Sequence, residues 1–579
     1  MTVNIYRKGV GLLVLCGVLA TAADKSISGL PALAVQGEEL ALVAKELGEV
    51  RKFMDNPAPN HTGTRFVYAR TTQEGYAVYL QNFSTGKSTR IFQQDEKDYQ
   101  PGGLRMLGWS PDDRQFAYLR CTINWEVVVV DGDSGAERGV VPVDSLERGG
   151  WVSDEAVVYQ DSANVLNEIR QGTDGWLPSR KFKCFENERR ALAGKIFGLA
   201  PYLRNTVAWL QGQTIWACAA DQLEPTKVFA FPGQTPVNFV YSVAARAFLL
   251  QCRDDNGDYI ARFRPDSGEF ALLERVDMSD RAVVDDWIGN LALVNGGNGY
   301  AYRVRHESGK DTLVIRARPN ADAVRIEWPN LIKAFAFNDA SLYVTGSRAS
   351  GPIAIWQYHA ASGELAEAVE NGAALLRAKL VAPVPFEITY PSGQKRICDL
   401  YPPADFVAGR KYPLVIGVPR IGYEQALANA GAFFACARRY VSEGSEKDDF
   451  PAIHEQLMRN ESIDPSRVFL IGTSRGTRPI MDQLMDNSGF WAGAIILSPN
   501  YVPDFSGLRR PCRMLVDQGE VDTMMSGGRL GEMKMQVALA RMQGISIEYA
   551  IRAGAGHFFR AHRAETERIQ AIIRFLNQK

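Results

Sequence analysis

The run Val468-Phe469-Leu470-Ile471-Gly472-Thr473-Ser474-Arg475-Gly476 has the form of a nucleophile elbow, and the C-terminal part of the chain can be worked out from it. Four apolar residues suit a buried strand, and Gly-x-Ser-x-Gly suits a sharp turn with the serine at its apex. The two glycines let neighbouring backbones approach without a Cβ clash, so that Ser474 Oγ projects above the sheet. Five residues alone are weak support. The reading needs a helix after the turn and, further on, an acid and a histidine in the right order.

Each of these follows. Ile480, Leu484 and Met485 stand at helical spacing and predict a helix over 477–485. Ala492 to Leu497 reads as the next strand, and Met514-Leu515-Val516 as a short one leading into Asp517-Gln518-Gly519-Glu520-Val521-Asp522. A last strand, Ile547 to Ile551, opens into Gly554-Ala555-Gly556-His557-Phe558-Phe559. The order Ser, Asp, His is that of the α/β-hydrolase fold.

Histidine is scarce, with six in 579 residues, which narrows the choice of base. His454 precedes the serine within a helical stretch, and His562 opens a charged run that suits a solvated helix start. His557 lies in a glycine-flanked loop after a strand and is the expected base. Two aspartates compete for the acid. Asp517 directly follows strand residues, whereas Asp522 ends a Gly-x-x-Asp turn, and either suits a loop-capping role. Asp522 is the favoured one.

At this point the C-terminal third resembles the catalytic domain of the prolyl oligopeptidase family of serine peptidases. The matching motifs, in order, are Tyr412-Pro413-Leu414-Val415, Asp464-Pro465-Ser466-Arg467-Val468, Gly472-x-Ser474-x-Gly476, Gly519-x-x-Asp522 and Gly556-His557-x-Phe559. The resemblance places a catalytic triad on Ser474, Asp522 and His557, as the residues themselves suggest. It also implies a β-propeller before the hydrolase domain, with a segment ahead of the propeller packing back on that domain.

The upstream sequence carries a matching repeat. Ser/Thr-Gly turns at Thr85-Gly86, Ser134-Gly135, Ser267-Gly268 and Ser362-Gly363 are separated by 49, 133 and 95 residues. These are one, three and two units of about 46 residues, a propeller-like period. Weaker turns at Thr173-Asp174-Gly175, Ala220-Asp221 and Pro319-Asn320 fill the gaps, making seven units. Trp109-Ser110-Pro111-Asp112-Asp113 followed by Phe116-Ala117-Tyr118 resembles the blade motif of these peptidases. The expected organisation is multidomain: a seven-bladed all-β propeller over 59–372, then an α/β-hydrolase domain with a mostly parallel sheet over 373–579.

Acyl transfer needs an oxyanion hole. One donor should be the backbone N–H of Arg475. Family members supply the second from a His-Gly-Gly-Pro run or a tyrosine after the strand matching Leu414 to Val418. Here the chain reads Gly417-Val418-Pro419-Arg420-Ile421-Gly422-Tyr423, and Pro419 has no N–H to give. Tyr423 is the candidate substitute. Beside the nucleophile, the Arg475 guanidinium is read as either an aid to the oxyanion or a surface ion pair, and under an esterase reading it favours a carboxylate-bearing ester.

At the N-terminus, Arg7 and Lys8 precede the apolar run Val10 to Ala20, and Ala20-Thr21-Ala22 is a cleavage-type site. Residues 1–23 therefore read as a secretory signal peptide of bacterial type, with a periplasmic or extracellular destination. Residues 24–58 carry Leu40, Val43, Ala44, Leu47, Val50 and Met54 at helical spacing, a helix expected to pack on the hydrolase domain. The seven cysteines beyond the leader are scattered without a Cys-x-x-Cys pair, which argues against a metal site and leaves room for at most a disulfide or so. A net charge of −1 gives no reason to propose nucleic acid, and no run of 18 or more apolar residues suggests a membrane span. No cofactor is implied. The sequence supports a peptidase acting on short peptides, an esterase acting on a small ester with the same triad, or a binding homologue with an impaired oxyanion hole.

Overall fold

Why residues 55–369 form hairpins is visible in their pattern: short runs rich in Val, Tyr, Phe and Trp, each cut by a polar turn. A computed structural model describes residues 55–578 apart from internal stretches, the longest being 183–196, 283–290, 347–353, 370–380 and 438–445. The expected leader, the amphipathic segment Leu40–Met54 and most of the linker 373–384 lie outside the described residues. The chain divides into two units, Lys52–Asn371 and, for its described part, Gly372–Lys579.

In the first unit seven antiparallel sheets follow one another along the chain. They span Asp55–Asp95, Leu104–Val143, Arg148–Lys181, Phe197–Ala230, Thr235–Arg275, Asp280–Trp328 and Ala334–Val369. All have four strands except the sixth, where Asp280–Ala282 and Leu291–Val294 both pair with Gly299–His306. Seven hydrophobic clusters alternate with them, each filled from two successive sheets, and the last joins the seventh sheet to the first. This is a seven-bladed β-propeller. All seven turns picked out in the sequence fall between the last two strands of their blades. At Gly86, Gly135, Gly175, Gly268 and Gly363 the backbone has positive φ, which is why glycine recurs there.

Blade packing explains the run Val127-Val128-Val129-Val130. Alternate residues of a strand face opposite ways, so Val128 and Val130 fill the interface with blade one and Val127 and Val129 that with blade three. Burying each valine is worth about 1.5–3 kcal/mol. Trp109 Nε1 donates to Ala58 O at 2.8 Å and Trp151 Nε1 to Gly108 O at 2.8 Å, tying each blade to the one before. Among the described residues, no strand crosses the seam between blades seven and one. Phe66 and Tyr68 pack there on Tyr343 and Ile355, with the Phe66 and Tyr343 rings 5.1 Å apart.

The second unit contains one eight-stranded sheet. Its strands are β1 (Val384–Thr389), β2 (Lys395–Tyr401), β3 (Tyr412–Gly417), β4 (Phe433–Ala437), β5 (Ile463–Thr473), β6 (Gly493–Leu497), β7 (Arg513–Gly519) and β8 (Ser546–Arg552). The helices are α1 (Glu424–Asn429), α2 (Glu446–Leu457), α3 (Thr477–Asn487), α4 (Arg529–Met542) and α5 (His562–Asn577). Strand order is β1-β2-β4-β3-β5-β6-β7-β8, and only β2 runs against the rest. The chain leaves β3 for β4 on one side and returns to β5 on the other. Loops after β3 and β5 thus part at a topological switch point, where open sheets of this kind form a crevice. No described helix is long and apolar enough to cross a membrane.

Two local readings change. The strand expected at Met514–Val516 runs on to Gly519, because pairing with β8 continues as far as Gly519 opposite Arg552. Asp517 and Gln518 are therefore inside the sheet, cross-strand pairing having outweighed their poor strand propensity. Cys218 is disulfide-bonded. Cys121, Cys252, Cys398, Cys436 and Cys512 form no disulfide. Burial pushes the Cys252 thiol up to about 12 and that of Cys512 up to about 11, so both stay protonated and unreactive.

Candidate active site

β5 delivers Ser474 at its carboxyl end, in a one-turn 3-10 helix over Ser474–Gly476 that runs straight into α3. Ser474 has φ 55°, a conformation that costs a non-glycine residue roughly 1–2 kcal/mol. The surroundings enforce it. A Cβ on Gly472 would lie 2.5 Å from Gly476 O and from Ile480 Cδ1, and one on Gly476 would lie 2.7 Å from Val418 Cγ2. Thr477 Oγ1 donates to Ser474 O at 2.6 Å, fixing the first turn behind the serine.

The loop after β8 brings His557 over this turn. Its Nε2 is 2.8 Å from Ser474 Oγ, and its Nδ1 is 2.7 Å from Asp522 Oδ2. The imidazole and the carboxylate are almost wholly buried, while Ser474 is half-exposed. Asp522 Oδ1 accepts the backbone N–H of Met524 at 2.8 Å, and Oδ2 also accepts the Gln518 side-chain amide. The loops carrying acid and base are stitched together. Val521 N donates to Ala555 O at 3.1 Å and Gly554 N to Glu520 Oε2 at 3.0 Å. Three donors hold the Asp522 carboxylate in a fixed direction, and its bond to Nδ1–H fixes the tautomer in which Nε2 is free to take a proton from the serine.

Asp517, the competing acid, points elsewhere. It accepts from Arg552 Nε at 2.8 Å and Arg568 Nε at 2.8 Å, wholly buried beneath the loops. His454 is on α2, its ring 5.4 Å from that of Trp491, and His562 starts α5. The structure thus brings Ser474, Asp522 and His557 together and leaves Asp517 and His454 apart from them.

For the oxyanion donors, Arg475 is the second residue of the 3-10 turn, where backbone N–H groups have no acceptor within the helix. Its side chain is exposed, with no ion pair among the described residues. Arg478, one turn on, lies 5.2 Å over the Tyr501 ring. Pro419 falls in 419–422, outside the described residues. Tyr423 is buried, and its hydroxyl lies 3.3 Å from Glu565 Oε2.

Sequence reasoning missed Gln518, Arg552 and Arg568. Nothing in their local sequence separates them from solvated polar residues. Among the described residues no three His, Cys, Asp or Glu side chains gather as a metal site.

No family model matches the chain, and no curated protein matches it in sequence. Solved structures do match in shape. One from a study of two prolyl endopeptidases has TM-score 0.70 at 13% identity, covering 98% of this chain and 94% of that one. A Mycobacterium tuberculosis puromycin-hydrolyzing peptidase has TM-score 0.69 at 14% identity, with 93% and 96% covered. Pyrococcus horikoshii acylaminoacyl peptidase has TM-score 0.64 at 14% identity, with 92% and 97% covered. The agreement extends over nearly the whole length of both partners, so this chain has the fold of the prolyl oligopeptidase family.

Proposed function

We propose that this chain is an exported serine hydrolase, a peptidase that cleaves short peptides through an acyl-enzyme on Ser474. In this reading residues 373–579 are an α/β-hydrolase catalytic domain. The observation that carries it is the continuous hydrogen-bonded line from Ser474 Oγ through His557 to Asp522, at 2.8 and 2.7 Å. Peptidase character is shared by the proteins whose folds match. Export draws support from the N-terminal signal pattern and from the disulfide at Cys218, a bond that persists in oxidising compartments.

Ser474 attacks the acyl carbon while His557 Nε2 takes its proton, and Asp522 stabilises the imidazolium that forms. His557 then protonates the leaving amine. Water, deprotonated by the same imidazole, releases the acid and restores the serine. The tetrahedral oxyanion is met by the Arg475 N–H, a contact worth about 2.7–4 kcal/mol. Tyr423 serves as second donor when its hydroxyl turns from Glu565 to the oxyanion.

A second reading, an esterase for carboxylate-bearing acyl groups, is favoured by one observation. The Arg475 guanidinium beside the nucleophile is exposed and without an ion pair among the described residues. A fluorophosphonate probe tests the shared mechanism: a single adduct on Ser474, absent in Ser474→Ala, is expected. No adduct on folded protein would sink both enzyme readings in favour of a binding homologue. Turnover of aminoacyl anilides separates the first two, since hydrolysis of p-nitrophenyl esters alone would remove the peptidase.

A further inference from the structure

α5 carries Arg568 in the run Glu565-Thr566-Glu567-Arg568-Ile569, which looks like a solvated face, yet this side chain is only 2% exposed. A guanidinium loses several kcal/mol of hydration on burial, so its partners must be several and well placed. Nε donates to Asp517 Oδ1 at 2.8 Å, and Nη2 donates to Ser498 Oγ at 2.7 Å and more weakly to Asp517 O at 3.4 Å. The guanidinium carbon lies 3.2 Å from the centre of the Phe559 ring.

These partners come from three adjacent strand ends. Ser498 follows β6, Asp517 lies in β7, and Phe559 is in the loop after β8, two residues beyond His557. Thr473, Leu497 and Asp517 are aligned across the sheet, so Ser498 stands level with Ser474. Among the described residues of this unit, the non-glycine residues with positive φ are Ser474, Ser498 and Phe559, at 55°, 40° and 46°. Such backbone persists only where contacts over-determine it. Arg568 touches two of the three. Neutralising Asp517 does not require it, because Arg552 already contacts that carboxylate at 2.6 and 2.8 Å. What Arg568 adds is its hold on Ser498 and Phe559, together with a hydrogen bond to the Tyr423 side chain.

We infer that Arg568 is a positioning residue, which fixes the His557 loop against the serine turn by stacking on Phe559 while bonded to Asp517 and Ser498. The inference rests on the catalytic reading of Ser474, His557 and Asp522. Loss of this clamp lets the imidazole drift, and a displacement of about 1 Å costs on the order of 100-fold in rate.

Three variants test it, with the turnover of whichever substrate class is cleaved as one readout. Arg568→Met is expected to lower kcat about 100-fold with KM changed less than about threefold. Arg568→Lys keeps a charge for Asp517 but lacks the planar fork that stacks and bonds at once. It should recover thermal stability without recovering kcat. Phe559→Leu removes the stacking partner and leaves every charge in place, and should cost about tenfold. The second readout needs no substrate: the low-field proton resonance of His557 Nδ1–H bound to Asp522, sharp in the wild type and broadened by exchange in all three. A wild type that fails to label with fluorophosphonate removes the catalytic reading, yet the resonance still tests the clamp. If Arg568→Met does not fold, the other two variants decide. Wild-type kcat and a sharp resonance in both folded Arg568→Lys and Phe559→Leu would overturn the proposal.

Discussion

Buried carboxylates are handled differently in the two units. In the propeller, Glu168 is fully buried, but its partners Arg170 and Arg180 have side chains 31% and 41% exposed. Asp258 is paired in the same manner with Arg253, whose side chain is 48% exposed. The positive ends stay hydrated, so little desolvation is incurred and the geometry can relax. In the C-terminal unit, Asp517 meets Arg568 and Arg552 with all three side chains largely out of water, and Asp522 meets a buried His557. Pairs of this second kind cost much to desolvate and tolerate little misplacement. They lie at the carboxyl edge of one sheet, where Ser474 also sits. Glu168 and Asp258 thus keep hydrated partners, while at the candidate site both ends of each pair are dry, as they also are at Arg396–Asp449 elsewhere in the C-terminal unit.

The most severe break in that contrast is Asp522→Asn. It keeps the shape but lets the amide donate to His557 Nδ1, favouring the wrong tautomer. A fall in kcat of about 10⁴-fold is expected, with thermal stability nearly unchanged. Asp517→Asn, five residues away, should act mainly on stability, with only the smaller fall in kcat that loosening Arg568 brings. It leaves two buried guanidinium groups without their anion, at about 3–5 kcal/mol, visible as a lower urea midpoint. If both substitutions acted on activity alone, the separation of the two aspartates would be wrong.

A smaller effect is expected in the propeller. Glu168 lies opposite Arg180 in the strand register and is hydrogen-bonded by Arg170 at 2.9 and 3.2 Å. In Glu168→Gln both arginines can turn to water, so the loss should be about 1 kcal/mol, with kcat unaffected. A loss matching that of Asp517→Asn would show that the hydrated pairs are no cheaper than the dry ones.

The same contrast explains what was legible beforehand. The propeller's seven turns could be counted because hairpin geometry demands a particular residue locally, as at Gly86 and Gly363. Ser474 and His557 could be singled out because a glycine-framed turn and a scarce residue are local signals too. Asp517 and Asp522 could only be ranked, since the difference between them is made by β7 running on to Gly519 and by arginines 35 and 51 residues further along. Gln518 and Arg568 carried no local signal at all. The second oxyanion donor stayed open for a related reason: Tyr423 is committed to Glu565 by a helix 142 residues away in sequence.

Protonation offers a milder probe of burial outside the site. His454 is held below its usual value by burial, packed against Phe490 and Trp491. The unfolded chain therefore takes up its proton first as pH falls below about 6.5, and the folded state only later. Over that window the unfolded state binds more protons, so stability drops as pH falls. His454→Gln should flatten this part of the curve, read as urea midpoints at pH 7.5 and 5.5. An equally steep curve in the variant would place the sensitivity elsewhere.

The smallest effect is expected at the seam between blades seven and one, and with the opposite sign. Tyr343 is fully buried, its ring stacked on Phe66 at 5.1 Å and Phe83 at 6.2 Å. Its hydroxyl has no hydrogen-bond partner among the described residues, and burial pushes its pKa up. An unpaired buried hydroxyl costs roughly 1 kcal/mol or more, while the ring earns its place by stacking. Tyr343→Phe keeps the stack and removes the unpaired group, so thermal stability should rise slightly, by about 1 kcal/mol at most. Tyr343→Leu, which removes the stack as well, should lower it. A destabilised Tyr343→Phe would mean that this seam, like the edge of the C-terminal sheet, depends on a polar contact, and the contrast between the units would narrow there.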